Sequence, residues 1–184
     1  SGLVNPALRT FGLAGLLSVA LSGAARDAIA GCPSTAGCPQ PAVSGLEPDN
    51  DTMAAILEPA SLAQLGSDAP AYPDIEVGSP TAEMVPAILP CVLMKAIGWT
   101  ESRWTQFCGG NGNIGPTIIS FDCGYGVSQV TSGMSSGNMG SFTFSPARVA
   151  AEAAYNIATG AGILAAKWNV VPAVGDKQPN ISEH

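Results

Sequence analysis

A mainly α fold carrying one Gly-rich loop or short β-hairpin is what this sequence predicts, and three observations predict it. The stretch from Cys91 to Phe107 is almost free of helix breakers, and the stretch from Ser145 to Trp168 is Ala-rich and opens on a capping Ser-Pro pair. Between them lies CGGNGNIGPTIISFDCGYG, dense in glycine. This helical domain takes residues 85–184. Ahead of it the sequence predicts an apolar N-terminal helix over 1–31 and an irregular Pro/Gly-rich linker over 32–84.

With 184 residues the chain has room for one domain with a buried core plus extensions. Charged residues are only 11% and hydrophobic ones 46%, against roughly 25% charged in ordinary soluble domains. A chain so poor in charge is either secreted and compact or packed against neighbours that hide part of its surface. Seven basic and fourteen acidic side chains give a net charge of −7, which excludes the basic footprint that a nucleic-acid partner requires. There is a single histidine, at the terminus, and no CxxC pair, so neither a metal site nor a cofactor is expected.

The five cysteines are Cys32, Cys38, Cys91, Cys108 and Cys123. Cys32 with Cys38, and Cys108 with Cys123, each bracket a turn-rich loop, which suggests two local disulfides and a spare Cys91. The alternative is five reduced core thiols. A Cys108–Cys123 bridge would contribute about 3 kcal/mol by closing its loop. Disulfide stapling implies an extracytoplasmic setting: periplasm, cell wall or secreted.

From Phe11 to Ala25 there are fifteen residues without a charge, between Arg9 and Arg26. That falls short of the roughly 20 residues of a spanning helix. It fits the apolar region of a signal peptide, with Ile29-Ala30-Gly31-Cys32 resembling a lipoprotein processing box, although Arg26 and Asp27 interrupt the approach to it. It also fits a retained helix of small residues, packed on a partner or a membrane. In the linker, Asp51 to Leu57 can form two turns of helix ended by Pro59, while Pro70, Pro73 and Pro80 disfavour helix at the residue before each.

Glu101 carries the chemistry. On a helix running from Cys91 to Phe107 its neighbours at i−4, i−3, i+3 and i+4 are Ile97, Gly98, Trp104 and Thr105, with no Lys or Arg among them. A carboxyl group in such apolar company has its pKa raised, as a general acid for glycoside cleavage requires. The plainer reading puts Glu101 on a solvated stripe with Thr105. A short strand is expected at Thr117 to Phe121, and a single helix from Ser145-Pro146 through Trp168.

Three blocks in this order and spacing resemble the lytic transglycosylases of the soluble-lytic-transglycosylase type, related to goose-type lysozyme. They are Glu101-Ser102-Arg103-Trp104, then Gly126-Val127-Ser128-Gln129, then Asn156-Ile157-Ala158-Thr159-Gly160-Ala161-Gly162-Ile163-Leu164. The resemblance covers the C-terminal half and implies a lysozyme-like helical domain. It implies cleavage of the bond between N-acetylmuramic acid and N-acetylglucosamine in peptidoglycan, with Glu101 as the single acid/base and Ser102 near the sugar.

On that likeness Gly126, Gln129 and Asn156 belong to the sugar site, the two amides orienting acetamido and hydroxyl groups, with capping and interhelical bonds as their plainer roles. Tyr125 is placed to stack on a sugar face. Asp122 matches the aspartate that precedes the corresponding motif of goose-type lysozymes, and would serve as a second carboxylate for hydrolysis. Its plainer role is to cap a turn. Trp99, Trp104 and Trp168 are expected in the core.

Ser128 stands where the family usually has Met. The family's further Ala-Tyr-Asn-x-Gly helix does not occur before His184, so the domain is expected to be incomplete within this chain or completed from elsewhere. The partners implied are peptidoglycan glycan strands. A rival from another class is a structural or glycan-binding subunit of an envelope-spanning or phage-tail assembly, joined to other subunits through residues 1–31.

Overall fold

The computed structural model describes residues 37–77 and 83–170. The expected apolar segment 1–31 and Cys32 lie outside the described residues, as does the chain beyond 170. The fold is organised around its last helix, α4 (Ala153–Trp168), whose sequence is almost all small or aliphatic. Ten of its sixteen residues are buried, running nearly without interruption from Ala153 to Ala165. A helix apolar on every side must be surrounded, and α4 meets all three clusters of the core. Small residues are what permit this. A Cβ on Gly162 would stand 2.2 Å from the Phe142 ring.

Against α4 pack α1 (Asn50–Ser61) and the short α3 (Pro146–Ala151), and α1 in turn carries α2 (Cys91–Ser102). Three two-stranded antiparallel sheets complete the described fold. They pair β1 (Ser44–Leu46) with β4 (Ile114–Pro116), β2 (Ile75–Val77) with β3 (Glu83–Val85), and β5 (Asn138–Met139) with β6 (Phe142–Thr143). The architecture is therefore mixed, helices with small sheets, rather than mainly α with one hairpin. Strands of two or three residues are too short to leave a period-2 pattern.

The 32–84 stretch is not a featureless linker. Its described part supplies β1, β2 and a full helix, α1, capped by the Asp49 carboxylate accepting from Thr52 N–H at 2.7 Å. Thr52, through its side chain first and its backbone N–H second, holds the Asp49 carboxyl below its ordinary pKa. Pro59 does not end α1 but sits inside its last turn, and Met53, Leu57 and Ala60 are buried against α2 and α4.

Three other boundaries differ from expectation. The Thr117–Phe121 strand is replaced by isolated bridges at Thr117 and Ile119, with β4 lying just before them. The helix from Cys91 stops at Ser102, not Phe107. The helix expected from Ser145 to Trp168 breaks at Glu152, where the backbone is extended (φ −134°, ψ 117°). The break has a visible cause. The Val149 carbonyl accepts from the amides of Gln106 and Asn156, and the Ala150 carbonyl from Gln106 and the Thr117 hydroxyl. Those carbonyls would otherwise bond to the next helical turn.

The disulfides also differ. Cys38 bonds to Cys123, 85 residues away, and neither expected local pair forms as drawn. The Cys38 region is brought there by its own backbone: Gln40 N–H donates to the Tyr125 hydroxyl, which donates to the Gln40 carbonyl, both at 2.8 Å. Closing so long a loop restricts the unfolded chain by about 4–5 kcal/mol, more than the local bridge would have. Cys108 is also disulfide-bonded. Cys91 is a free thiol.

Candidate functional site

α1 packs against both α2 and α4, and a cleft of about 610 Å³ lies between those two helices and the turns at 120–122 and 128–132. Spacing decides which helical residues reach it. Met94, Ile97, Gly98 and Glu101 form one face of α2, and Gly160, Ile163, Leu164 and Lys167 one face of α4, each set at i, i+3 or i+4, and i+7. Leu57 of α1 adds to the apolar floor. The facing turns are mostly polar, with Ser120, Asp122, Ser128, Gln129, Thr131 and Ser132, and add Phe121 and Val130.

Glu101 stands at the end of α2, exposed on the cleft wall and without a salt bridge among the described residues. The enclosure expected from Trp104 is not there, because Trp104 is off the helix. Arg103 and Trp104 are both left-handed, at φ 53° and 59°. Arg103 N–H bonds to the Trp99 carbonyl at 2.9 Å and Trp104 N–H to the Gly98 carbonyl at 3.1 Å, which closes the helix. Two such residues in succession are costly for L-amino acids. The offset comes from the Trp104 side chain, which folds back over Gly98 and donates its indole N–H to the Lys95 carbonyl at 2.8 Å. A Cβ on Gly98 would come within 3.0 Å of that indole. Trp99 meets Trp104 edge to face at 5.7 Å and carries the Arg103 guanidinium at 5.6 Å. Trp99 is itself half exposed, against its expected place in the core, while Trp104 and Trp168 are partly buried.

Asp122 lines the same cleft and accepts a hydrogen bond from the Ser120 hydroxyl. Gln129 lines it as well, in a left-handed conformation (φ 45°), its side-chain amide donating to the Gly126 carbonyl at 2.8 Å. Of the five non-glycine residues at positive φ among those described, Arg103, Trp104, Cys123 and Gln129 all lie within three residues of Glu101, Asp122 or Gln129, or are one of them. Backbone strain gathers where side chains are held for use.

Four residues expected at the sugar are instead framework. Ser102 is buried, its hydroxyl bonded to the Val127 carbonyl at 2.8 Å and the Gly98 carbonyl at 3.1 Å. Tyr125 is fully buried, with its hydroxyl engaged by Gln40, so its ring cannot stack on a ligand. Burial raises its pKa. Asn156 is fully buried and satisfied, accepting from Ser128 N–H at 2.8 Å and donating to the Tyr125 carbonyl at 2.7 Å. Gly126 (φ +62°) has no room for a side chain, since a Cβ would fall 2.0 Å from the Gln106 amide oxygen.

Gln106 and Glu47 complete this framework. Gln106, wholly buried, accepts from Val127 N–H at 3.1 Å while donating to Val149 and Ala150. Glu47, 3% exposed, accepts from the backbone N–H groups of Gln106 and Phe107. Burial pushes its carboxyl above the ordinary range, against the opposing pull of those two amides. Neither residue carries a local sequence signal, because their partners are 21 to 60 residues away. Lys167 and Phe121 also line the cleft, outside the residues the sequence reading singled out. For Lys167 the spacing from Gly160 and Ile163 was a usable signal.

Among the described residues no three His, Cys, Asp or Glu side chains gather as a metal site would need. No family model, curated protein or solved structure matches the chain.

Proposed function

We propose that the cleft binds a glycan strand of peptidoglycan and cleaves the bond between N-acetylmuramic acid and N-acetylglucosamine, with Glu101 as acid and then base. The observation that carries this reading is the shared cleft: Glu101, Asp122 and Gln129 line one groove that is apolar along the helices and hydroxyl- and amide-rich along the turns. A sugar chain offers the same division between ring faces and hydroxyl edges.

Protonated Glu101 donates to the glycosidic oxygen, and the substrate's own acetamido group stabilises the cation that develops. The resulting carboxylate takes the proton of the C6 hydroxyl, which closes a 1,6-anhydro ring without water. A sugar seated in the cleft would cover the Glu101 side chain and exclude bulk water from the reacting atoms. Gln129 is the amide available to the sugar, while Asn156 holds the turn that carries Ser128. Non-nucleic, extracytoplasmic action on the cell wall accords with the acidic chain and the Cys38–Cys123 bridge.

Asp122 favours a second reading, hydrolysis. It faces the same cleft and is a second carboxylate able to position water. Chromatography of muropeptides released from purified sacculi decides between the two. Anhydro products that disappear with Glu101→Gln are the expected result. Reducing ends lost with both Glu101→Gln and Asp122→Asn would indicate hydrolysis. Absence of any product from the full chain would contradict both readings.

A further inference from the structure

Phe121 is the most exposed large hydrophobic residue among those described, at 93%, and it lines the cleft beside Asp122. Nothing in the fold asks for an aromatic there. Ser120 to Cys123 is a tight turn closed by Cys123 N–H bonding to the Ser120 carbonyl at 3.0 Å, with Phe121 and Asp122 as its two central residues. Such positions favour Pro, Asp, Asn or Ser. The turn is also held firmly. Gly124 N–H donates to the Ser120 hydroxyl at 2.9 Å, Ser120 N–H to the Gly124 carbonyl at 2.9 Å, and Cys123 is tied to Cys38. A rigid support therefore presents a bare ring to the cleft.

We infer that Phe121 is the platform on which one pyranose ring of the bound glycan stacks, a role that rests on the glycan-cleaving reading above. The C–H face of a pyranose is apolar while its hydroxyls project at the edges. An aromatic ring flanked by Asp122 and Ser120, in a cleft that Gln129 also lines, meets both demands at once. Tyr125, the aromatic that the sequence offered for this role, is sealed in the core four residues further on. Phe121 also explains why the turn needs several ties: a stacking ring gives affinity only if it is not ordered anew at each binding event.

The test is calorimetric titration of a soluble tetrasaccharide of alternating N-acetylglucosamine and N-acetylmuramic acid into the Glu101→Gln protein, with and without a change at Phe121. Phe121→Ala should weaken binding roughly 3- to 10-fold. Phe121→Trp should restore or exceed the original affinity. Thermal midpoints should not move, because the ring touches no core. In the active protein the same substitution should raise KM with kcat nearly unchanged. Equal affinity of the Ala and Phe proteins for the tetrasaccharide would overturn the platform and leave the cleft reading standing. No binding by either protein would overturn both.

Discussion

The two amides of the blocks that resemble a sugar site, Gln129 and Asn156, sit in different surroundings although their blocks touch through Ser128 N–H. Asn156 is sealed into a buried polar framework with Gln106, Ser102 and Gly126, and every polar atom of its amide has a protein partner. Gln129 stands at the cleft with Glu101, Asp122 and Phe121, three side chains that are exposed. The framework fixes where the cleft wall runs, since Ser128 N–H and Val127 N–H are both gripped from below. Adjacent residues in one motif therefore divide the work: Val127 and Gly126 are structure, and Gln129 is available to a ligand.

Substitutions that separate stability from turnover sharpen this contrast. The largest effect on folding is expected from Gln106→Ala. The Val149 and Ala150 carbonyls keep Asn156 and Thr117, but Val127 N–H loses its acceptor and a cavity opens. We expect a loss of about 3 kcal/mol in denaturant unfolding. Ser102→Ala should cost less, about 1–2 kcal/mol, because it strands chiefly the Val127 carbonyl. It should leave KM for glycan unchanged. A raised KM at unaltered stability would move Ser102 back to the sugar, where its resemblance had put it.

Glu47→Gln is the most delicate probe. The folded state holds the Glu47 carboxyl above its ordinary 4.5, so it binds the proton more tightly than the unfolded chain does. The stability tied to that proton is fully present below the unfolded pKa and is lost as pH rises through the raised folded value. Thermal midpoints of the native protein should therefore fall relative to those of Glu47→Gln across that window. Parallel pH curves for the two proteins would contradict the assignment.

What could be read from the sequence was local. Glu101 near the end of a helix, the Ser145-Pro146 cap and the Ala-rich character of α4 all follow from neighbours within a turn. The rest depends on contacts across the chain. Nothing near Trp104 announces that it folds back onto Gly98. The break at Glu152 is set by Gln106 and Thr117, more than 30 residues away. Cys38 meets Cys123 across 85 residues, beside the Gln40–Tyr125 hydrogen bonds. Tyr125 is buried and Phe121 exposed for the same reason, because sequence distinguishes aromatic residues from polar ones but not which side of a tight turn faces the core.

The claim at the centre of this account is that Glu101 does chemistry on a framework that does not depend on it. Release of soluble muropeptides from sacculi, measured alongside thermal unfolding of the same Glu101→Gln preparation, tests it directly. The account predicts that release falls by at least about 100-fold while the melting temperature stays at the unsubstituted value, since Glu101 is exposed and unpaired among the described residues. Release at the unsubstituted rate from a fully folded Glu101→Gln protein would contradict it.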